Sequence, residues 1–289
     1  MHVIAIANQK GGVGKTTTTV NLAASLAVHG ERVLLIDLDP QGNATMGCGC
    51  DKNGVELNIY DWMMDNKTLA EVSFNVKPNF DLMPSNTDLT AVEIELMQQT
   101  SRERRLQERL APVAADYDYV VIDCPPSLNI LTLNALVAAD GVLIPMQCEY
   151  YALEGLTALL ETISGVRQGA NAELALEGIL RTMYDPRNSL TRDVSRQLIN
   201  HFGDDVFRTV IPRNIRLAEA PSHGEPVLYY DRLSRGSVAY QALAEELRKK
   251  RTRLAEKEAE RQALEMARHN ADQRQGTQPN EPTNAAEIR

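Results

Sequence analysis

Aromatic residues are scarce in this chain of 289 residues, where they make up 5% of the composition and include a single tryptophan. The 43% hydrophobic content still provides for one large core or two small ones. Length gives a prior of about two domains, although α/β folds also reach this size as one. Cysteine is scarce too. Cys48, Cys50, Cys124 and Cys148 are too few and too scattered for a disulfide framework, so reduced thiols are expected. Cys48 and Cys50 have no second Cys or His pair nearby, which argues against a metal site there. No uncharged apolar run approaches the ~18 residues of a membrane span. Residues 1–7 enter a strand-like pattern with no basic stretch ahead of an apolar one, so a cytoplasmic location is expected.

Basic charge is in deficit overall, with a formal net charge of −9. Such a balance argues against a nucleic-acid binder held by bulk charge. Its distribution argues the other way. Residues 181–253 carry 14 Lys and Arg against 9 Asp and Glu, a local +5, which leaves −14 on the rest of the chain. A basic region sits on an acidic body.

Short apolar runs without alternation, at residues 3–7, 33–36, 119–122 and 141–145, read as buried parallel strands. Helical stretches follow at 16–28, closed by Gly30 in the position of a C′ glycine, and at 153–167. Further elements are expected as strands at 174–183 and 206–211 and as helices at 191–202 and from about 237. Strands alternating with helices predict an α/β fold with a mostly parallel twisted sheet flanked by helices. No internal repeat is visible. From about residue 245 the chain turns into a Lys, Arg, Glu and Ala-rich helical pattern without a sustained apolar stripe, and 276–289 is polar, contains proline and is expected to be disordered. The main domain is therefore expected to span residues 1–247, with 248–289 as a charged extension.

The first strand runs into Lys10, Gly11, Gly12, Val13, Gly14, Lys15, Thr16 and Thr17 and then into a helix. This is the context of a phosphate-binding loop: glycines let successive N–H groups turn around phosphate oxygens, and the helix points its positive end at them. Lys15 would neutralise phosphate charge, and the Thr16 hydroxyl would ligate Mg²⁺. The loop departs from the general G-x-x-x-x-G-K-[ST] pattern, because Gln9 holds the place of its first glycine and a second lysine, Lys10, enters. In this it resembles the deviant Walker A motif K-G-G-x-G-K-T of the ParA, MinD and nitrogenase iron-protein class. The resemblance implies that Lys10 reaches across a dimer to the partner's nucleotide; a solvated lysine is the alternative.

The second strand ends in Asp37 and Asp39, which alternation places on one face at the edge where ligands bind in open α/β sheets. Two carboxylates there can hold Mg²⁺-bound water and orient an attacking water, or simply cap the strand end. The resemblance gives Asp39 the hydrolytic role and leaves Asp37 the metal shell. The third strand ends in Asp123, an apolar run followed by an acid in the manner of a Walker B strand, suited to Mg²⁺.

The stretches NQKGGVGKTTTTVNLAASLA, RVLLIDLDPQGNAT, YDYVVIDCPPSLNILTLNAL, CEYYALEG and VIPRNIRLAEAPSHG resemble chromosomal ParA (Soj) proteins, in order, over residues 3–247. That resemblance implies a deviant P-loop ATPase fold, an ATP-dependent homodimer, nonspecific binding of double-stranded DNA, and a ParB-type centromere-binding partner that activates hydrolysis. It also implies Pro212 and Asn214 near the adenine, and Arg187 and Arg216 on DNA. Each arginine has an acid within reach, Asp185 or Glu219, that would pair with it instead. The loop begins at residue 10, so the helix-turn-helix extension of some plasmid partition ATPases, and operator autorepression with it, are not expected. A MinD-like membrane anchor is not expected either, because residues 279–289 offer one large aliphatic side chain, Ile288. An iron-protein-like cluster lacks a convincing cysteine pair. A ParA relative that positions a protein cargo shares every motif and is the remaining alternative.

Overall fold

The structure is a computed structural model that describes residues 1–150 and 152–275. By its internal contacts the chain divides into a unit spanning Met1–Glu246 and a second beginning at Leu247. The expected disorder of residues 276–289 lies outside the described residues.

The first unit is built on one eight-stranded sheet, comprising β1 (His2–Ile6), β2 (Val33–Asp37), β3 (Phe74–Lys77), β4 (Phe80–Met83), β5 (Tyr119–Asp123), β6 (Gly141–Gln147), β7 (Ala175–Tyr184) and β8 (Val206–Pro212). Their spatial order is β3-β4-β2-β5-β1-β6-β7-β8. Every pairing is parallel except β3 with β4. Parallel strands need crossovers, and helices on both faces supply them and bury the sheet. That is why β2 (VLLID) and β5 (YVVID) are buried at every position and show no alternation. The expected strands and helices are all present, each with ends shifted by a few residues, among them α1 (Lys15–Val28) and the helices Ala152–Gln168 and Ser189–Phe202. The expected glycine closure of α1 also holds, with Gly30 at φ 90 just beyond the C-cap His29.

Two strands go beyond the sequence expectation. β3 is an exposed, antiparallel edge strand, and a turn with Asn79 at φ 62 joins it to β4. Short helices at Asn43–Gly47, Ile59–Met64, Leu69–Val72, Leu89–Leu96 and Arg105–Leu110 fill the region on either side of that hairpin, and Ile130–Ala138 follows β5. Two of them carry full capping boxes, Asn58 with Asp61 and Thr68 with Glu71, in which each partner satisfies the other's free N–H. On the far edge, Glu246 accepts hydrogen bonds from the N–H groups of Arg208 and Thr209 at 2.7 and 2.9 Å, closing part of the open side of β8.

The topology matters for function because β1 is central, and the ends of β1, β2 and β5 lie side by side. Ligands of open α/β sheets sit at such carboxyl ends.

The one tryptophan gives this unit a built-in probe. Trp62 is buried at 1% exposure, with the Arg109 guanidinium 5.3 Å above its ring. Tryptophan emission is therefore expected to be blue-shifted in the native chain and to move to the red in one transition during denaturant unfolding. Native emission resembling free tryptophan would contradict this packing.

Candidate functional site

The loop after β1 takes its shape from glycine. Gly12 and Gly14 have φ of 73 and 89, in the left-handed region that other residues enter at a cost. Gly14 is also the N-cap of α1, supplies no side-chain cap, and is followed by a first turn without an acid. The leading N–H groups of a long helix thus lack the side-chain acceptor that usually serves them, at the positive end of its dipole. An anion suits that position.

Lys15 heads the helix and is only 8% exposed. Its Nζ lies 3.4 Å from the Lys10 carbonyl. Burial lowers its pKa, while Asp123, Cys124 and Asp39 work against that shift. A buried ammonium with this little hydrogen bonding is satisfied by a phosphate.

Behind it stand two acids. Asp37 and Asp123 are direct register neighbours at the ends of β2 and β5, and both are fully buried. Burial raises the pKa of each: Asp37 to about 6, opposed by its hydrogen bonds and helped by Asp39, and Asp123 to about 8, with Asp37 as the next cause. Their surroundings differ. Asp37 accepts from the Thr45 N–H and hydroxyl at 2.8 and 2.7 Å and from the Asp39 N–H at 3.2 Å. Asp123 accepts from the Thr19 hydroxyl at 3.0 Å, and the nearby Thr16 hydroxyl works against the rise in its pKa, while its Oδ2 is buried with no hydrogen-bond partner.

That unpartnered carboxylate oxygen, beside the Thr16 hydroxyl, fits a hard divalent cation. Among the described residues no group of three or more His, Cys, Asp or Glu side chains could hold a metal alone. A site that borrows phosphate oxygens and water is the usual arrangement for Mg²⁺.

Asp39 stands just beyond β2, partly exposed, with Oδ1 accepting the Gln41 N–H at 2.9 Å. Its own carbonyl accepts the Ser85 hydroxyl at 3.0 Å, and the Ser85 N–H donates to the Thr45 hydroxyl at 2.9 Å. The segment carrying Asp39 is therefore tied through Thr45 to Asp37.

Beside the loop opens a cavity of about 430 Å³, with Gly14 and Thr17 in one wall and Pro212, Asn214, Ile215 and Tyr240 in the others. Pro212 and Asn214 thus line a space of the size of a nucleoside-binding pocket. Asn214 Oδ1 caps the helix Ile215–Glu219 through the Arg216 N–H at 3.1 Å.

The remaining sequence candidates lie apart from the cavity lining. Lys10 is exposed, and its Nζ pairs with Glu149, which follows β6, at 2.7 Å. Arg187 pairs with Asp185 at 2.8 Å. Arg216 pairs with Glu219 at 2.7 Å and Asp231 at 3.2 Å. The two neighbouring acids considered from the sequence, Asp185 and Glu219, are thus engaged.

Residues 1–176 match the family model described as AAA domain. The sporulation initiation inhibitor protein Soj of Bacillus subtilis is 52% identical over 246 residues, which cover 85% of this chain and 97% of that one. The chromosome partitioning protein ParA of Caulobacter vibrioides is 51% identical over 86% of this chain and 94% of its own. The chain belongs to the ParA/Soj family of ATPases. Among solved structures, one described as cobyrinic acid a,c-diamide synthase from Mycobacterium smegmatis, with bound ADP and magnesium, superposes with a TM-score of 0.74 at 38% identity over 85% of this chain and 93% of that one. The expected α/β P-loop fold is the fold of this ParA/Soj chain.

Residues that sequence reasoning passed over hold this ParA/Soj site in place. Thr45, Ser85 and Thr19 carry the hydrogen bonds of the two acids and their loop. Glu149 stands in the quoted stretch CEYYALEG, which shows the acid but not that it meets Lys10 across two strand ends.

The paired acids give the nucleotide-free chain a signed pH dependence. Unfolded aspartates titrate near about 3.9, whereas Asp37 and Asp123 hold protons to about 6 and about 8 in the fold. Between those limits the folded state binds more protons than the unfolded state, so this contribution is complete below about pH 4 and is lost as pH rises through the folded values. Denaturant midpoints of the wild type are expected to fall more between pH 5 and 8 than those of Asp123→Asn, as read by Trp62 fluorescence. Equal slopes would contradict the proposed protonation.

Proposed function

We propose that this chain binds Mg²⁺–ATP at the loop of residues 10–17, dimerises on ATP, binds double-stranded DNA without sequence preference, and hydrolyses ATP to ADP and phosphate in DNA partitioning. The single observation that carries the nucleotide site is the buried Lys15 ammonium beside an uncapped helix start and an unpartnered Asp123 oxygen. The naming of relatives as Soj and ParA supports the partitioning reading.

In this reading the N–H groups of Gly11 to Thr17, with Val13 among them, surround the phosphates and Lys15 offsets their charge. Thr16, Asp37 and Asp123 would hold Mg²⁺ directly or through its bound water, and Asp37 also fixes the Thr45 segment. Magnesium, when bound, offsets charge on the β- and γ-phosphate oxygens. Asp39 orients the attacking water once it turns from Gln41. Pro212 and Asn214 border the adenine. Lys10 leaves Glu149 for the partner subunit's nucleotide; an exposed ion pair of this kind is worth about 0–1 kcal/mol and is readily exchanged.

DNA phosphates compete in the same way for Arg187 and Arg216, which are now paired with acids at the surface. A dimer presents two such faces on one body and gains by avidity, which couples DNA retention to the γ-phosphate. A ParB-type protein activates hydrolysis and resets the cycle. The assembly works in the cytoplasm on the nucleoid. Among the described residues no helix is long and apolar enough to cross a membrane. The segment weighed as a MinD-like anchor lies outside them. A protein cargo in place of a chromosome or plasmid is the second reading.

Three variants separate the roles. Lys15→Ala is expected to lose ATP binding, because it leaves the phosphate charge uncompensated in a low-dielectric loop. Lys10→Ala is expected to bind ATP and stay monomeric. Asp39→Ala is expected to bind and dimerise, with a dimer that outlives the wild type because turnover is slow. Nucleotide titration and analytical ultracentrifugation read these outcomes. ATP affinity of Lys15→Ala within a few-fold of wild type would overturn the loop assignment, and a normal Lys10→Ala dimer would overturn the trans role.

A further inference from the structure

The geometry points to Thr182 as the residue that aims the phosphate loop, acting from β7 through a hydrogen bond to the loop's own backbone. Its hydroxyl donates to the Val13 carbonyl at 2.8 Å. Thr182 is 2% exposed and Val13 1%, so the bond is shut away from water. The two residues are 169 positions apart in sequence.

The shape of the peptide links this bond to phosphate binding. Successive N–H groups that turn inward around a phosphate force their carbonyls outward, and each buried outward carbonyl needs a donor. The Val13 carbonyl and the Gly14 N–H belong to one planar trans peptide and point in opposite directions. Fixing that carbonyl on β7 therefore fixes the Gly14 N–H toward the side away from Thr182, which is the phosphate side. Gly14 is free to rotate otherwise: its φ of 89 is one that glycine enters and leaves at little cost.

Thr182 also belongs to the wall of the 430 Å³ cavity, next to Met183, whose φ of 48 is unusual for a residue with a long side chain. Two residues further along stands Asp185, the partner of Arg187. One end of β7 thus touches the phosphate loop, the nucleoside cavity and the base of the proposed DNA arginine. Thr182 is a positioning residue: it acts on phosphate through the loop and does not itself meet the reacting atoms.

This inference rests on the reading of residues 10–17 as the phosphate loop, and the experiment keeps the two apart. ADP and ATP, each with Mg²⁺, are titrated calorimetrically into the full chain as wild type, Thr182→Val, Thr182→Ser and Lys15→Ala. Valine keeps the shape and suits a strand, but leaves the Val13 carbonyl buried without a donor. A loss of about tenfold in affinity is expected for both nucleotides, the size that goes with one unsatisfied buried group. Because the same contact serves ground state and transition state, KM for ATP is expected to rise by a similar factor while kcat changes by less than about twofold. Thr182→Ser restores the hydroxyl and is expected to recover most of the affinity. A merely structural threonine would lower the melting temperature of Thr182→Val without moving the affinity of the folded chain. If Lys15→Ala abolishes binding and Thr182→Val binds ADP like wild type, Thr182 has no positioning role. If Lys15→Ala binds normally, the loop reading itself falls. Should Thr182→Val fail to fold, Thr182→Ala removes the same hydroxyl and is held to the same outcomes.

Discussion

Burying ionisable groups with few hydrogen-bond partners is the constraint on which this structure turns. At the adjoining ends of β1, β2 and β5 the fold places an ammonium, Lys15, and two carboxylates, Asp37 and Asp123, all nearly or wholly out of water. Isolated, each is costly, and the protein leaves the account open: Lys15 finds a distant carbonyl, and one Asp123 oxygen finds nothing. A metal-bound polyphosphate supplies the missing charges of both signs in one ligand.

The rest of the site is scaffolding around that cluster. Asp37 accepts the backbone N–H and hydroxyl of Thr45 on one oxygen and the Asp39 N–H on the other; the Thr45 hydroxyl in turn takes the Ser85 N–H, while the Ser85 hydroxyl holds the Asp39 carbonyl. Hydrogen bonds through Thr45 and Ser85 thus tie Asp37 to the segment carrying Asp39. The exposed groups behave differently. Lys10, Arg187 and Arg216 rest in surface ion pairs within their own chain, where water screens them and partners are exchanged at little cost. The interior acids and their loop are held by hydrogen bonds, whereas these surface charges are held by exchangeable ion pairs.

How much of this could be read from the sequence depended on whether the causes were local. The phosphate loop is contiguous, and its neighbouring strands are uninterrupted aliphatic runs because both faces of a parallel sheet are covered. Those elements and their acids were legible. β3 was not: Phe74 to Lys77 is four residues, half exposed, and stabilised by its partner β4 more than by its own pattern. The Pro78 and Asn79 turn between them was the available signal. Two of the short helices between β2 and β5 owe their starts to capping boxes visible only once the first residue of each helix is known. The pairs Lys10 with Glu149, Thr19 with Asp123 and Thr182 with Val13 join residues more than a hundred positions apart, so no spacing rule reaches them. For Arg187 and Arg216 the competing acids were visible as near neighbours, and Asp185 and Glu219 are indeed engaged.

Whether the γ-phosphate governs the partner surface is the central claim, and retention on DNA tests it most directly. The full chain is incubated with unrelated duplex DNA and, in parallel, with anionic liposomes, in ATP, ADP or no nucleotide, over a range of salt concentrations. The account predicts retention on DNA with ATP alone, none on liposomes, and a salt slope that flattens by about two when Arg216→Ala removes one phosphate contact from each subunit of a dimer. Equal retention in ATP and ADP, or binding to liposomes in place of DNA, would contradict it.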